Sequence, residues 1–253
     1  MSTTLAFLGD FGEAIKFIFQ ERESVSGGVQ IGGIPELAGF GATHMIVSIA
    51  ALAIAAALAI PLALWLGHIG RGDFVATATS NVGRAVPSLA LLAFFISFVG
   101  LGYTNVIAVL VLLAIPPLIT NTYVGVRQVD RDTVDAARGQ GMTDLEIVRK
   151  IELPLALPSI FGGLRISAVN VVATATIAPL ANVQTLGEPI ITPQTYGFVG
   201  QLGAAIVVAV ITLAVDFAFA RLQRAVTPEG LKLEEPARRR WFSLPTRRRL
   251  ESR

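Results

Sequence analysis

The segment DAARGQGMTDLEIVRKIELP, residues 135–154, is a short charged stretch between two long apolar runs. The runs on either side, 85–126 and 166–187, contain no Asp, Glu, Lys, Arg or His. Within the segment, small residues and two glycines come first, and apolar residues at helical spacing follow. A water-exposed, amphipathic module between two apolar runs indicates a surface of a membrane protein that a soluble partner contacts.

The composition supports the assignment to a membrane. Hydrophobic residues make up 53% of the 253-residue chain and charged residues 15%, and the mean hydropathy is +0.65; soluble domains carry about a quarter charged residues. A helix needs about 20 residues to cross a core of about 30 Å, so the run 85–126 has to fold back, most simply at 100–105. We therefore predict an all-α integral membrane protein with about five spans, at 44–67, 75–100, 105–125, 157–181 and 199–221. The alternative is a large soluble protein with several fully buried helices.

The basic residues predict the orientation. If the loop 127–156 is cytoplasmic, Lys16 and Arg22 lie outside, whereas the other 18 of the 20 Lys and Arg residues lie in or near cytoplasmic segments. The outer connections 100–105 and 182–198 have none. Cytoplasmic loops are usually the more basic ones, so we expect the N-terminus outside and the C-terminus inside. The high isoelectric point then reflects this orientation and not nucleic-acid binding.

Three regions are expected. Residues 1–43 would be an extracytoplasmic segment, with a short amphipathic helix that lies on the outer membrane surface or packs on the bundle, followed by a Gly-rich linker at 26–41. Residues 44–226 would form the transmembrane domain, and 227–253 a basic cytoplasmic tail. The tail carries arginine triplets at 238–240 and 247–249, which anionic lipid headgroups attract.

The residue inventory excludes several kinds of chemistry. The chain has no cysteine, so disulfides, thiolate catalysis and Cys-ligated metals are excluded. Its two histidines, His44 and His68, lie at opposite ends of the first predicted span and indicate no metal cluster or catalytic triad. The sequence has no GxxxxGK[ST] phosphate loop. We find no pattern that indicates an enzyme.

The loop itself reads as two helices with a joint. Asp130 or Asp132 is expected to cap the first helix, and Ala136 and Ala137 to keep one side of it slim. Gly139 and Gly141 would allow a sharp turn. The second helix begins with Thr143 and Glu146 at capping-box spacing, and Pro154 would stop or redirect it. Its apolar flank consists of Leu145, Ile147, Val148 and Ile151. An amphipathic loop that only lies on the membrane surface is the alternative.

The same residues resemble the EAA loop of permease subunits in binding-protein-dependent ABC importers. That motif reads Glu-Ala-Ala, three residues, Gly, nine residues, Ile-x-Leu-Pro. This chain has Asp135-Ala136-Ala137, Gly141, and then Ile151, Leu153 and Pro154, with both gaps matched. Its first residue departs, since Asp has a carboxylate one methylene shorter than that of Glu. The resemblance implies a MetI-like permease fold, with these residues and Gly139 in contact with an ATPase.

Further segments resemble the osmoprotectant branch of that family, whose permeases carry glycine betaine, choline or carnitine. They are NVGRAVPSLALLAFF (81–95), PPLITNTYVGVRQVD (116–130) and RKIELPLALPSIFGGLR (149–165), and the resemblance covers about 44–226. The branch usually has a glycine-rich run after the fourth span. This chain has APLANVQTLGEP (178–189) there and keeps only Leu186-Gly187.

The resemblance implies a transport subunit without catalytic activity, cofactor or metal. Its expected partners are a separate ATPase subunit, a second permease subunit of the same or a related kind, an extracytoplasmic substrate-binding protein and the lipid bilayer. The alternatives are the same machine carrying another small solute, such as an amino acid, and a secondary transporter. Secondary transporters usually need more spans and intramembrane carboxylates.

Polar residues inside the predicted spans are candidates for the path. Asn170, Thr174 and Thr176 mark a polar stripe on the fourth span, which either lines the path or allows close helix packing. Arg84 lies in the second span and either lines the path or pairs with another group. Asp216 is expected to pair with Arg221 or Arg165. Prolines in the second to fourth spans are expected to kink them (Pro87, Pro116, Pro117 and Pro179). Aromatic residues near the outer end of the second span could face a quaternary ammonium (Phe94, Phe95, Phe98 and Tyr103).

Overall fold

Apolar helices dominate the described chain, as the sequence predicts. The structure, a computed structural model, describes residues 2–227, apart from the side chains of 2–8, Val82 and Arg84. The predicted basic tail lies outside the described residues from 228 onward. The first elements are α1 (Ser2–Phe19), β1 (Glu21–Glu23), β2 (Gln30–Gly32), α2 (Gly33–Ile69), α3 (Asp73–Ala85), α4 (Ser88–Val99) and α5 (Tyr103–Arg127). The remaining ones are α6 (Arg131–Gly139), α7 (Asp144–Ile147), a π turn (Val148–Glu152), α8 (Leu153–Thr174), a 3-10 segment (Ala175–Ala181), α9 (Glu188–Ile191) and α10 (Pro193–Val226), which breaks at Gly197.

Four helical runs in the described chain are long and apolar enough to cross a membrane: Gly33–Ile69, Tyr103–Arg127, Asp144–Ala181 and Pro193–Val226. The prediction of one continuous span at 75–100 is wrong, because α3 and α4 have 13 and 12 residues and are separated at Pro87. Each is about 20 Å long at 1.5 Å per residue, which is less than the core thickness. A proline disfavours helical geometry in the residue before it, here Val86.

The N-terminal region is more ordered than the predicted linker. Residues 21–32 form an antiparallel hairpin, in which Arg22 pairs with Ile31. The helix α2 then begins at Gly33, 11 residues before the predicted start at 44. Leu37, only 5% exposed, belongs to an apolar cluster with Phe17 and Leu186. This burial outweighs the weak helix propensity of the glycines in residues 33–41.

The helix α1 packs on α10. The Phe17 ring is buried beside Gly200 and Gly203, where an added Cβ atom would come within 3.4 and 2.8 Å of the ring. The Tyr196 ring meets Phe17 edge-on at 6.3 Å, and the Tyr196 hydroxyl donates to Glu36 Oε1 at 2.8 Å. The N-terminal segment is therefore attached to the bundle.

The centre of the bundle is α5, which lies between α2 and α8. Glycines allow the close approaches: a Cβ on Gly67 would meet Val126 at 2.7 Å, and one on Gly163 would meet Asn121 at 2.9 Å. The buried Ser167 hydroxyl donates to the carbonyl of Ala114 at 2.8 Å. Small residues and hydroxyl hydrogen bonds of this kind hold helices together in membranes, where the hydrophobic effect contributes little to helix association.

One ion pair joins α8 to α10. Arg165 binds Asp216 through two hydrogen bonds, from Nε at 2.6 Å and from Nη2 at 2.7 Å. Of the two partners that the sequence offers, Arg165 is therefore the one found. The guanidinium of Arg221 lies over the Phe217 ring instead, 4.5 Å from its centre.

The turn at 182–187, between the 3-10 segment and α9, folds back against the 3-10 segment. The buried Thr185 hydroxyl donates to the Ala175 carbonyl at 2.9 Å. Gly187 follows, and a Cβ atom there would overlap the carbonyl oxygen of Thr176. Glycine at 187 is therefore required by the close approach of two backbones. It belongs to the Leu186-Gly187 pair that this chain keeps at the position of the glycine-rich run.

We expect Gly187→Ala to destabilise the protein by about 1–3 kcal/mol, because the methyl group forces two backbone segments apart. The matched control is Gly39→Ala in α2, where an added Cβ meets no atom within 4 Å. The control should be neutral or slightly stabilising. Melting temperatures in detergent measure both, and equal values for the two variants would contradict the packing described.

We expect Arg165→Met to lower the melting temperature because it leaves Asp216 without its bidentate partner near the hydrocarbon. The effect should be about 1 kcal/mol, as for a half-exposed pair. The double variant Arg165→Asp with Asp216→Arg should recover most of it. Failure of the exchange to recover any stability would show that the pair does not hold α8 to α10.

Candidate functional site

The loop 127–156 is a compact helical module. Its helix α6 is capped by Asp130, whose Oδ1 accepts from the backbone N–H of Asp132 at 2.9 Å. The helix α7 begins with a complete capping box: Thr143 N donates to Glu146 Oε2 at 3.0 Å, and Glu146 N donates to Thr143 Oγ1 at 3.4 Å. Both predicted caps are confirmed.

The joint between the two helices depends on one glycine. Gly141 has φ 87°, a left-handed conformation that side chains disfavour. Gly139 is the last residue of α6 and is not among the residues with positive φ. The prediction that both glycines form the joint is therefore wrong for Gly139, which leaves a bare, exposed position on the helix surface instead.

The two alanines of the motif point in different directions. Asp135 and Ala136 are exposed. Ala137 is 5% exposed and packs in a small core with Val134 and Ile147. The expectation that Ala137 forms the slim outer side is wrong, because the 3.6-residue period turns it inward. The outer face of α6 is formed by Asp135, Ala136 and Gly139.

Exposed ion pairs connect the parts of the module. Arg138 Nη2 donates to Asp144 Oδ1 at 3.2 Å, and Arg138 Nη1 lies 3.5 Å from Asp135 Oδ1. Lys150 lies 2.8 Å from Glu146. The hydrogen bond from Lys150, followed by those from Thr143, lowers the pKa of the Glu146 carboxyl to about 2. Exposed pairs contribute little to stability, and of these only the Arg138–Asp144 pair connects α6 to α7.

The end of the motif leads directly into the membrane. Ile151 lies half-buried in the π turn, and Leu153 and Pro154 occupy the first turn of α8. Of the two outcomes expected for Pro154, a stop is not found, because the helical run continues from α7 to Ala181. Pro154 lies just after the π turn, where the hydrogen-bond register of the helix already changes.

A polar pocket of about 220 Å³ lies between α3, α5 and α8. Its lining combines hydroxyl and amide groups with proline and glycine backbone (Ser80, Gly83, Pro116, Pro117, Thr120, Asn121 and Asn170 among them). Gly83 lies so close to Pro116 that a Cβ atom would come within 2.6 Å of its ring. A pocket of this kind can hold a small polar molecule inside the bundle.

The predicted path residues are only partly brought together. Asn170 lines the polar pocket. Thr174 lies at the end of α8, and Thr176 lies in the 3-10 segment, where its hydroxyl donates to the Ala173 carbonyl at 2.8 Å. Neither threonine lines this pocket. Arg84 belongs to α3, and its side chain lies outside the described part of the structure.

Three polar residues of the pocket, Ser80, Thr120 and Asn121, were not predicted from the sequence. The signal was present, because Thr120-Asn121 interrupts an otherwise apolar run three residues after Pro116-Pro117. Among the described residues, no group of three or more His, Cys, Asp and Glu side chains could hold a metal ion.

Comparisons with known proteins agree with the motif. Residues 59–229 match the family described as "Binding-protein-dependent transport system inner membrane component". The chain is 33% identical to the "Glycine betaine/carnitine/choline transport system permease protein OpuCB" of Bacillus subtilis (strain 168), over 75% of this chain and 88% of that protein. It is 34% identical to the "Carnitine transport permease protein OpuCB" of Listeria monocytogenes, over 75% and 87%.

A solved structure shares the fold. A chain of the MetNI methionine ABC transporter, in an inward-facing conformation, superposes with a TM-score of 0.65, at 22% identity, over 77% of this chain and 98% of that one. The predicted MetI-like fold and the resemblance to osmoprotectant permeases are thus confirmed. This chain is a member of the family of binding-protein-dependent transport system inner membrane components, the membrane-embedded permease subunits of ABC importers.

Proposed function

We propose that this chain forms the path for a compatible solute, such as glycine betaine, choline or carnitine, in an ATP-driven importer. It would couple to a separate ATPase subunit through the module 127–156. The observation that carries this proposal is the outer face of α6, where Asp135, Ala136 and Gly139 are exposed on a module with its own small core. The names of similar permeases support the solute class.

The shape of the module suits a groove on a partner. Ala136 and Gly139 present almost no side-chain bulk, so a partner's backbone can approach α6 closely. Asp135 and Arg138 stand at the edge of this face and can form charge-assisted bonds with the partner. ATP would act by binding tightly to one arrangement of the ATPase pair. A ligand shifts a conformational equilibrium only by such differential affinity.

The rest of the assembly follows from the family. The ATPase would be a separate polypeptide, and this subunit would catalyse no reaction itself. A second permease subunit would complete the path, and an extracytoplasmic binding protein would deliver the solute. We place the module 127–156 and the C-terminus in the cytoplasm, and the N-terminus outside, because the distribution of Lys and Arg favours this orientation.

The polar pocket is our candidate for part of the path. Amide and hydroxyl groups of Asn170, Asn121 and Thr120 can replace some of the water around a solute. The helix α3, which carries Ser80 and Gly83 of the lining, is separated from α4 at Pro87. Thr174, Thr176 and Arg84 remain candidates for the path on sequence grounds alone.

Tight selection of a quaternary ammonium usually depends on aromatic faces. Phe94 and Phe98 have ring centres 4.7 Å apart on α4 and are both well exposed, which is typical of lipid-facing side chains. The residues that line the polar pocket include no aromatic side chain. We therefore assign high-affinity selection to the binding protein and only weak, transient contact to this subunit.

Coupling through the module can be tested with two variants. Ala136→Trp should block the close approach to α6, and Gly141→Val should strain the left-handed joint. We expect each to reduce solute-stimulated ATP hydrolysis of the reconstituted complex by about tenfold or more, a large coupling effect. The matched controls are Leu213→Trp on the exposed side of α10 and Gly39→Val in an open part of α2. Normal stimulation in both test variants would contradict the docking role.

The solute class can be tested by uptake into proteoliposomes that hold the permease, its ATPase and its binding protein. We expect ATP-dependent uptake of at least one quaternary amine among glycine betaine, choline and carnitine. Uptake of an amino acid without any quaternary amine would support the alternative importer. Uptake that needs an ion gradient but no ATPase would indicate a secondary transporter.

A further inference from the structure

A buried hydrogen bond joins the module 127–156, the coupling module, to α2. His68, in the last turn of α2, donates from Nδ1 to Glu152 Oε2 at 2.8 Å. The His68 side chain is 4% exposed and that of Glu152 is fully buried. The other ring nitrogen of His68 lies 3.4 Å from Asp144 Oδ1, at the start of α7. One imidazole thus lies between two carboxylates of the module.

The histidine belongs to the bundle and not to the module. The preceding residue, Gly67, lies against Val126 of α5. Gly70, two residues after His68, caps the end of α2 in a left-handed conformation, and its N–H donates to the Gly67 carbonyl at 3.2 Å. The end of α2 is therefore fixed on α5, and the bond from His68 to Glu152 crosses from one body to the other.

Burial raises the free-energy cost of breaking the hydrogen bond between His68 and Glu152. A buried carboxyl group is costly unless a hydrogen-bonding partner compensates for the lost water. Among the described residues, His68 is the side chain that binds Glu152, whose other oxygen, Oε1, is buried without a hydrogen bond. If the module moved away from α2, this carboxylate would lose its compensation.

The π turn between α7 and α8 lies at this contact. Successive side chains of an α-helix are rotated by about 100° around its axis. The extra residue of a π turn therefore changes the way in which the preceding side chains face, relative to those that follow. Glu152 ends the turn Val148–Glu152, and Asp144 lies just before it. Both carboxylates nevertheless face the same imidazole. Turns of this kind are frequent at functional sites.

The polar contacts continue to the outer face of the module. Asp144 accepts from Arg138, which in turn lies beside Asp135, the first residue of the motif. A chain of polar contacts thus leads from the buried Glu152, through His68 and Asp144, to the surface of α6 on which we place the ATPase.

We propose that His68 is a positioning residue that fastens the coupling module to α2, so that displacement of the module also moves the first span. The proposal rests on the proposed function, because it assigns a route to the force that the ATPase supplies. The competing explanation is that apolar packing of Val148 against Leu64 and Val126 holds the module by itself.

The test compares His68→Leu with His68→Asn in the reconstituted complex of permease, ATPase and binding protein. Asparagine carries an N–H close to the position of Nδ1, whereas leucine has none. We expect His68→Leu to lower the solute transported per ATP hydrolysed by about tenfold, while basal hydrolysis persists. His68→Asn should recover at least about half of the wild-type ratio. Equal ratios in the wild type and His68→Leu would overturn the proposal.

The other histidine of α2 provides a matched control. His44 is also buried, and its Nε2 donates to the Val172 carbonyl at 2.8 Å, but it lies at the opposite end of the helix. His44→Leu should lower the melting temperature and leave the transport ratio unchanged. A drop in the ratio equal to that of His68→Leu would overturn the proposal, because the loss would then follow from destabilised α2 alone.

A double variant separates stability from coupling. Removing both partners, as in His68→Leu with Glu152→Met, avoids an unpaired buried carboxylate and should restore the melting temperature. We expect the transport ratio to stay low. A restored ratio would show that apolar contact suffices and would overturn the proposal. Absence of solute-stimulated hydrolysis in the wild-type complex would instead refute the proposed function, which distinguishes the two failures.

Discussion

The close approach of α2 and α8 to α5 is the constraint on which the rest of the structure depends. Helices in lipid gain little from burying apolar surface, so they associate through backbone proximity and a few buried hydrogen bonds. Gly67 and Gly163 provide that proximity, and Ser167 provides one such bond. The end of α2 is held in place by this packing, and the coupling module can form defined contacts with it only for that reason.

The module has one exposed side, on which we propose that the ATPase docks, and another side that packs on the bundle. The outer side of α6 is small and polar at Asp135, Ala136 and Gly139. The inner side combines the small core around Ala137 with the buried pair His68–Glu152. A partner could therefore bind the exposed face of this segment without disturbing its buried contacts with the bundle. The proposed coupling role requires both contacts at once.

The features that the sequence predicted correctly are local ones. A capping box is decided by residues three apart, so Thr143 and Glu146 could be assigned without a fold. The apolar runs likewise identify membrane helices by length and hydropathy. The direction of Ala137 was missed because exposure depends on which neighbours close over a helix. His68 and Glu152 are 84 positions apart, and the sequence around either residue does not indicate that the other is its partner.

The break at Pro87 and the early start of α2 were missed for related reasons. A proline inside an apolar run does not by itself decide whether the helix breaks, since α4 begins anew after Pro87 whereas α5 continues through Pro116 and Pro117. The glycines of residues 33–41 suggest a linker, but the burial of Leu37 in an apolar cluster favours a helix there. In both places, tertiary packing decided between two conformations that the local sequence allows.

The tight turn at Gly187 has a mechanical consequence for the opposite end of the molecule. No atom can be inserted between this turn and the carbonyl of Thr176, and the Thr185 hydroxyl is bonded to Ala175 beneath it. The turn therefore lies directly against the backbone of the 3-10 segment and is hydrogen-bonded to its first residue. A displacement of this turn would therefore act first on the 3-10 segment, which ends the helical run Asp144–Ala181 that begins in the module.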